Sequence, residues 1–348
     1  MLKIKIVILF LFISIASVWG YVNYQTYWMK PSAGAQDVSI EIKEGESVAQ
    51  LANELKQAEV IKNIWLFKRY LAKNGMDKKL QVGTFVMKPN MNIKSVALIL
   101  NDPHIASTKV LFKEGETVKD YGDELEKSDL MRSAEFQGLV GYPAVNYCLN
   151  ESLDKPKDFS DEFDFLLDKP KCLGLEGYLF PDTYFFANDA PAEVVARKML
   201  ENFGVKLDSG LRAEIARQNK TIHEIITMAS LIEAEAREES DRALVSDVLW
   251  RRNSVGMGLE LDSTVNYLTG NSKPSISFTE KEINSLYNTY KYRGLPPGPI
   301  NNPSLSAIKA AIYPEKNDYW FFLADKEGKV HFGKTLEEHN QLKYKYLK

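Results

Sequence analysis

A glutamate on the apolar side of a helix is the clearest candidate for chemistry in this sequence. We predict one helix over about 221–253, in which Glu233 lies eleven residues after Ile222. Because eleven residues bring an α-helix back to within about 20° of its starting face, Glu233 shares the apolar stripe that begins at Ile222. Residues 228–232 are small or apolar, and the first basic residue after them is Arg237. A carboxyl group in such surroundings is harder to ionise, and a retained proton is what a general acid needs.

A structural role for Glu233 is the competing interpretation, with the carboxylate at the edge of the core and paired with Arg237 four residues later. The apolar run before Glu233 favours the catalytic interpretation. A glycoside hydrolase would ordinarily use a second carboxylate, about 5 Å away in a retaining enzyme and further away in an inverting one. The candidates for that second group are Glu235, Asp262 and Glu176.

Three other segments have the mixture of aromatic and polar residues that is typical of sugar-binding grooves. Residues 176–184 interleave aromatic rings with two carboxylates, residues 259–265 contain another acidic group, and residues 287–290 lead into a loop rich in Pro and Gly. A buried strand and turn is the alternative for the first segment. The substrate-binding or supporting residues that we predict are Glu176, Tyr178, Asp182, Glu235, Asp262, Tyr287, Asn288 and Tyr290.

The elements that must position these residues have recognisable beginnings. Thr221 and Glu224 form the pattern of a capping box at the start of the helix that carries Glu233. Residues 42–48 are echoed by residues 112–118, and each copy follows a short strand and places a Gly in the turn before a helix. Because the apolar positions of the two following helices also match, the sequence predicts a duplicated strand–turn–helix unit.

The first copy of this unit resembles the start of a LysM-type module, which holds polymers of N-acetylglucosamine. After a strand at 38–42 and its helix, the pattern predicts a helix over 64–73, a strand over 83–87 and a helix over 93–100. A small scaffold without a ligand would show the same periodicity, so sugar binding by this module stays open.

The fold class that these elements predict is α+β. Residues 150–171 form a surface excursion, Asn302 caps a helix that ends near Pro314, and a terminal hairpin pairs 319–323 with 330–332. The predicted domains are an anchor at 1–24, a linker at 25–37, a LysM-like module at 38–108 and a mixed α+β domain with Glu233 at 109–348, of which 109–150 repeats the strand–turn–helix unit.

The N-terminal residues indicate export from the cytoplasm. Lys3 and Lys5 precede an apolar run from Ile6 to Val22, which at about 17 residues is at the short end for a membrane-spanning helix. Lysines in front of the run place the N-terminus in the cytoplasm and the rest of the chain outside. A cleaved signal peptide is the alternative, although Trp19 would be unusual beside a cleavage site.

Composition excludes some classes of function. The chain has 44 basic and 47 acidic residues and no basic stripe, which argues against nucleic acid as a partner. We expect no metal or cofactor, because His223-Glu224 begins like a zinc-protease motif but Thr227 replaces the second His; His223 is interpreted as a helix-surface residue. Cys148 and Cys172 either pair in an oxidising compartment or remain buried thiols.

These motifs together resemble the YceG-like (MltG) family of endolytic murein transglycosylases over about residues 110–348. The matching stretches, in family order, are EGYLFPDTY at 176–184, ASLIEAE at 229–235, LDSTV at 261–265, YNTY at 287–290, GLPPGPINNPS at 294–304 and the terminal HF and HN at 331 and 339. One departure is Ser263, which stands where the family pattern has Pro.

The resemblance implies that Glu233 is the catalytic acid in a non-hydrolytic cut between N-acetylmuramic acid and N-acetylglucosamine, which leaves a 1,6-anhydromuramyl end. It also implies a site at the outer face of the inner membrane, beside the peptidoglycan synthases, with nascent glycan strands as substrate. Two alternatives stay open: a muramidase that uses Glu233 with Asp262, and a non-catalytic peptidoglycan-binding scaffold of a cell-wall synthesis complex.

Overall fold

The computed structural model of this chain describes residues 2–32, 36–43, 45–102, 105, 107–150, 152–271 and 275–347. The chain divides into two compact units, the first containing residues 1–110 and 184–190 and the second containing residues 111–183 and 191–348. The expected fold class is confirmed as a mixed α+β protein with an apolar N-terminal helix.

The N-terminal helix α1 (Leu2–Asn23) runs directly into a short π-helix (Tyr24–Trp28). Residues 5–28 are apolar and long enough to cross a membrane, and none of their most apolar stretch is buried within the protein. A signal sequence would have the same length and composition. The structure therefore supports a candidate membrane span or signal sequence at this end.

The described residues that follow α1 pack against the body of the first unit. Gln25, Thr26 and Met29 are all buried. Further along, the backbone N–H of Ser32 donates a hydrogen bond to the carbonyl of Pro89 at 3.0 Å. The part of the predicted linker that the structure describes is thus held along the unit by burial and by hydrogen bonds.

The first unit is built on a four-stranded sheet in the order β1–β2–β3–β4. β1 and β2 are antiparallel, with Val38 opposite Met87 and Ile42 opposite Gly83. The predicted order of strand, helix, helix and strand is present, with one apolar core shared by the sheet and its helices. The elements are β1 (Val38–Ile42), α2 (Val48–Gln57), α3 (Ile64–Asn74), β2 (Gly83–Met87), α4 (Ile93–Asn101), β3 (Ser107–Leu111) and β4 (Thr183–Ala187).

The duplicated turn adopts the same backbone conformation in both copies. Gly45 and Gly115 each have φ of 77°, in the left-handed region that residues with a Cβ atom rarely adopt. Ser47 and Thr117 then act as N-caps, and each forms a complete capping box with the third residue of its helix. The prediction of a duplicated strand–turn–helix unit is confirmed.

The second unit is mainly helical and ends in the predicted hairpin, where Phe321 lies opposite Gly333. Its elements are α5 (Val118–Lys127), α6 (Ser133–Val140), a 3₁₀ turn (Asp164–Leu166), α7 (Ala192–Lys206), α8 (Ser209–Arg217), α9 (Ile222–Glu235), α10 (Glu239–Ser254), α11 (Asp262–Thr269), α12 (Phe278–Lys281), α13 (Leu305–Ile312), β5 (Phe321–Ala324), β6 (Val330–Gly333) and α14 (Leu336–Tyr346).

The single helix predicted over 221–253 is wrong, because the chain breaks between α9 and α10. Ala236 has an extended backbone, with φ of −124° and ψ of 101°, although no Gly or Pro lies near it. The carbonyl of Ala236 accepts a hydrogen bond of 3.1 Å from Nε of the buried Arg242. A side chain from the following helix thus satisfies the backbone that the break exposes.

Two smaller expectations also need correction. Residues 150–171 are not wholly a surface excursion, since Phe159, Phe165 and Leu166 are buried in the core. The helix near 303–314 is capped by Ser304 instead of Asn302, because the Ser304 hydroxyl accepts a hydrogen bond from the backbone of Ala307.

The disulfide between Cys148 and Cys172 links two positions 24 residues apart, with Cα atoms separated by 5.1 Å. We predict that replacing both cysteines by serine lowers the free energy of unfolding by about 3 kcal/mol, because the bond restricts the unfolded chain. Denaturant unfolding of the oxidised protein and the double variant would measure this. The reduced wild-type protein is the control and should match the variant; equal stability of oxidised protein and variant would contradict the prediction.

Candidate functional site

An ion pair between Glu233 and Arg242 lies at the centre of the candidate site. On an uninterrupted helix these residues would be about 13 Å apart along the axis and on opposite faces. The break at Ala236 turns α10 back, so that Nη2 of Arg242 reaches Oε1 of Glu233 at 2.8 Å. The two side chains are only 6% and 7% exposed. The break in the helix is therefore what assembles the pair.

Ser304, at the N-terminus of α13, holds the other oxygen of Glu233. Its backbone N–H and its hydroxyl donate to Oε2 at 2.9 Å and 2.5 Å. The same hydroxyl accepts from Nη1 of Arg242 at 2.6 Å. Glu233 accepts three hydrogen bonds in total, and two carboxylate oxygens can accept about four. One acceptor position remains for a substrate.

The expected apolar surroundings of Glu233 are wrong at its carboxyl group, which is paired with the guanidinium of Arg242. Arg242 is nine residues further along the chain and was outside the sequence window that suggested apolar surroundings. The competing pairing with Arg237 is not formed either, since its guanidinium donates to the carbonyl of Glu327 at 3.4 Å. The apolar face of α9 is nevertheless real, because residues 225–232 are all buried.

An open cleft of about 640 Å³ lies beside this pair. Gly115 forms part of its lining, and a Cβ atom at that position would lie 3.5 Å from Cγ of Glu233. Ala234, directly after Glu233, forms another part. The remaining lining is mixed in character and includes Thr117, Arg237, Ser263, Asn266, Tyr267 and Asn301. The cleft has polar groups for hydrogen bonding to a ligand.

Glu235 and Asp262, both predicted from the sequence, are next in the chain to Ala234 and Ser263, which line this cleft. The hydroxyl of Ser263 donates to Glu235 at 2.6 Å, and the hydroxyl of Tyr290 donates to Asp262 at 2.6 Å. Burial raises the pKa of Glu235 to about 7, and the nearby charge of Asp262 acts in the same direction. Both carboxyl groups already have hydroxyl partners, which indicates a role in shaping the wall.

Glu176 and Asn302 form a buried junction behind the cleft. Glu176 Oε1 accepts hydrogen bonds from the backbone of Val118 at 2.9 Å and from the Asn302 amide at 3.1 Å. Its Oε2 accepts from the hydroxyl of Tyr267 at 3.2 Å. Burial raises the pKa of Glu176 to about 8, although these hydrogen bonds oppose the shift. Glu176 therefore supports the site from inside and does not face the cleft.

Asn302 ties the duplicated turn to the loop before α13. Its backbone carbonyl accepts from Gly115 N–H at 2.9 Å, and its own N–H donates to the carbonyl of Glu116 at 2.9 Å. Its side-chain oxygen accepts from the backbone of Gly177 and Leu179. Three segments that are far apart in sequence are thereby held in register around Glu233.

The other predicted residues lie away from the cleft lining. Tyr178 is fully buried, and its hydroxyl is 3.0 Å from Nδ1 of His223. Asn288 is also fully buried, and its amide donates to two backbone carbonyls. Tyr287 is buried against the ring of Tyr267. These positions can support the site through the core, but they do not form its surface.

Asp182 and His223 are the remaining cases. Asp182 accepts a hydrogen bond from Asn202 and lies 3.7 Å from the ammonium of Lys206. The interpretation of His223 as a surface residue is wrong, since its ring bridges Tyr178 and the carbonyl of Pro297. Burial lowers the pKa of His223.

The sequence did not single out Arg242, Ser304 or Glu114, and it marked Asn302 only as a helix cap. Glu114 precedes Gly115, and burial followed by the charge of Glu233 raises its pKa. The repeated motif around Glu114 was a signal that could have found it, because the motif placed a carboxylate beside the special glycine. No local signal marks Arg242, since its function depends on the fold of the chain.

Comparison with known proteins identifies the family to which this chain is similar. The model of the YceG-like family matches residues 40–345. A protein of Bacillus subtilis (strain 168) named endolytic murein transglycosylase is 33% identical over 89% of this chain and 85% of its own length. A Streptococcus pneumoniae (strain D39) protein of the same name is 27% identical over 97% of this chain and 64% of its own length.

A solved structure is also similar. The crystal structure of a YceG-like protein from Listeria monocytogenes shares 33% sequence identity with this chain. It aligns over 89% of this chain and all of its own, with a TM-score of 0.57.

The buried ion pair generates a stability prediction. Arg242→Met leaves Glu233 buried without its charged partner, so we expect the free energy of unfolding to fall by about 3–5 kcal/mol. Adding Glu233→Gln should recover part of that loss, because the uncompensated charge is then removed. Denaturant unfolding would measure both, with Arg237→Met as the control at under about 0.5 kcal/mol. An Arg242→Met variant as stable as the wild type would contradict the pairing.

Glu176 generates a pH prediction. Its pKa is higher in the folded protein than in the unfolded chain, so the folded state retains a proton that the unfolded state releases. Stability from this group is complete below about pH 4.5 and falls as pH rises toward 8, by up to about 1.4 kcal/mol per pH unit. Unfolding free energies at several pH values should show this slope in the wild type. Glu176→Gln should lack it, and an identical slope in both proteins would contradict the prediction.

Proposed function

Because this chain belongs to the YceG-like family, we propose that it is an endolytic murein transglycosylase with Glu233 as its catalytic acid. The substrate is the glycan strand of peptidoglycan. The reaction cuts the bond from N-acetylmuramic acid to N-acetylglucosamine without water and leaves a 1,6-anhydromuramyl end.

The observation that carries this proposal is a buried carboxylate held in one orientation beside an open cleft. Arg242 and Ser304 fix both oxygens of Glu233, and one acceptor position remains. A general acid or base must be within hydrogen-bond reach of the reacting oxygen, and a fixed orientation supports that. A non-catalytic scaffold would gain nothing from burying a charged pair at a groove, which costs desolvation energy.

The chemical steps balance with one carboxyl group. Protonated Glu233 gives its proton to the glycosidic oxygen as the bond from that oxygen to C1 breaks. Glu233 is then a carboxylate and takes the proton of the muramyl 6-hydroxyl as O6 bonds to C1. The proton count on Glu233 is restored and no water is consumed. Arg242 holds the carboxylate form, because a guanidinium stabilises a negative charge at hydrogen-bond distance.

The muramidase alternative would need a second carboxylate to serve as nucleophile or to activate water. Asp262, its expected partner, accepts a hydrogen bond from Tyr290, and Glu235 accepts one from Ser263. Each of these carboxyl groups is hydrogen-bonded to a side-chain hydroxyl next to residues that line the cleft, whereas the mechanism proposed here needs no second carboxylate because the substrate supplies its own nucleophile.

We also propose a location for the protein and a role for part of its first unit. Helix α1 acts as an uncleaved anchor in the cytoplasmic membrane, with the N-terminus inside and the cleft outside, as the lysines before the apolar run favour. Within the first unit, residues 38–108 act as a LysM-like module that holds glycan, and the domain from 109 onward carries out the cut. Nascent strands beside the peptidoglycan synthases are the substrate that such an anchor would reach.

Glu233→Gln tests the proposal. We expect the variant to fold normally and to lose formation of anhydromuramyl ends by at least about 100-fold, since it cannot donate and recover the proton. Mass spectrometry of products from polymerised, uncrosslinked glycan strands would measure this, because hydrolysis adds a water and transglycosylation does not. Glu201→Gln, on the exposed surface of α7, is the control. Anhydro products from Glu233→Gln at the wild-type rate would overturn the assignment.

A further inference from the structure

We propose that Glu114 is the second carboxylate of this site, contacting the sugar from the open side of the cleft and stabilising positive charge at C1 during bond cleavage. This inference rests on the proposed function. It assigns a part of the reaction to a residue in the duplicated turn.

The position of Glu114 is fixed by the backbone on its C-terminal side. Gly115 packs against the side chain of Glu233, and a Cβ atom there would lie 3.5 Å from Glu233 Cγ. The two hydrogen bonds of 2.9 Å between Asn302 and residues 115 and 116 hold the turn in this place. Asn302 is itself two residues before Ser304, which binds Glu233. Glu114 is thereby anchored beside Glu233 through two independent routes.

The side chain of Glu114 is available to a ligand. The residue is exposed, in contrast to the buried carboxyl of Glu176. Among the described residues, none forms a hydrogen bond or an ion pair with its carboxyl group. The neighbouring Gly115 and Thr117 line the cleft. An unpartnered carboxylate at the edge of a substrate cleft is suited to contact the substrate.

The charged groups of the site affect the pKa of Glu114. Its pKa is raised, first by partial burial and then by the negative charge of Glu233 and of Glu239, while the positive charge of Arg242 lowers it. The charges of Glu233 and Arg242 therefore act at the position of Glu114. Asp120, which lines the cleft, and Glu235 and Asp262 beside it each accept a hydrogen bond from a side-chain hydroxyl, whereas no described residue donates one to Glu114, next to the lining residue Gly115.

The proposed role of Glu114 in the reaction is electrostatic. Cleavage of a glycosidic bond passes through a transition state with positive charge spread over C1 and the ring oxygen. Glu233 protonates the leaving oxygen and later takes the proton of the 6-hydroxyl. Glu114 stays ionised throughout and transfers no proton, so the atoms balance as before. A preorganised negative charge facing C1 lowers the barrier because the charge on the sugar exists mainly in the transition state.

Glu114→Gln in the full chain tests this role. We expect kcat for anhydromuramyl ends to fall about 100-fold with little change in KM and in the unfolding midpoint. In a plot of kcat against pH, the decrease at low pH that accompanies protonation of Glu114 should disappear in the variant. Formate should restore part of the activity of Glu114→Ala by supplying a small carboxylate in the vacated space, and a purely structural role would not produce such rescue.

The duplicated turn supplies a matched control. Glu44→Gln makes the same change in the same KEGE motif of the first copy and should leave kcat within about twofold. Glu239→Gln, which removes a nearby charge outside the cleft lining, should behave like Glu44→Gln. An active wild type together with a Glu114→Gln variant that keeps its kcat and the decrease at low pH would overturn the inference alone. A wild type that makes no anhydro ends would overturn the proposed function instead.

Discussion

The buried guanidinium of Arg242 is the interaction on which the rest of the site depends. It satisfies the carbonyl exposed at the end of α9, binds Glu233 and binds the cap of α13. Burying a charged pair is expensive, and the structure offsets that cost with three hydrogen bonds to each partner. A single side chain thus ends one helix, anchors another and orients the carboxylate between them.

A second constraint is the convergence of three loops on Asn302. Asn302 lies in the loop before α13, and backbone groups of the duplicated turn and of the segment after Glu176 bind it. Because most of these contacts involve backbone atoms, the geometry depends on the path of the chain more than on the identity of neighbouring side chains. The backbone and the side-chain amide of Asn302 therefore hold together the segments around the cleft.

Much of the local structure could be predicted, because it is encoded by neighbours in sequence. The strands at 38–42 and 83–87 have the bounds expected from alternation, and both glycine turns follow from their motif. Glu233 could be identified because the helical periodicity that places it on the apolar face can be read from residues close to it in the sequence. The break at Ala236 and the roles of Arg242, Ser304 and Glu114 depend on contacts with distant segments. Local sequence propensity cannot predict such contacts. Glu176 was named as a groove residue, but its burial could be known only from packing.

The π-helix after α1 has a consequence for how such an enzyme would meet its substrate. A flexible tether lets a tethered domain explore a hemisphere above the membrane. Here Gln25, Thr26 and Met29 are buried in the first unit and Ser32 is hydrogen-bonded to it, so a membrane-anchored helix would carry that unit with it at one height. Diffusion in the bilayer would then move the unit within a plane, and glycan at a different height would be out of its reach. The junction between α1 and the first unit would then set the distance of that unit from the lipid surface.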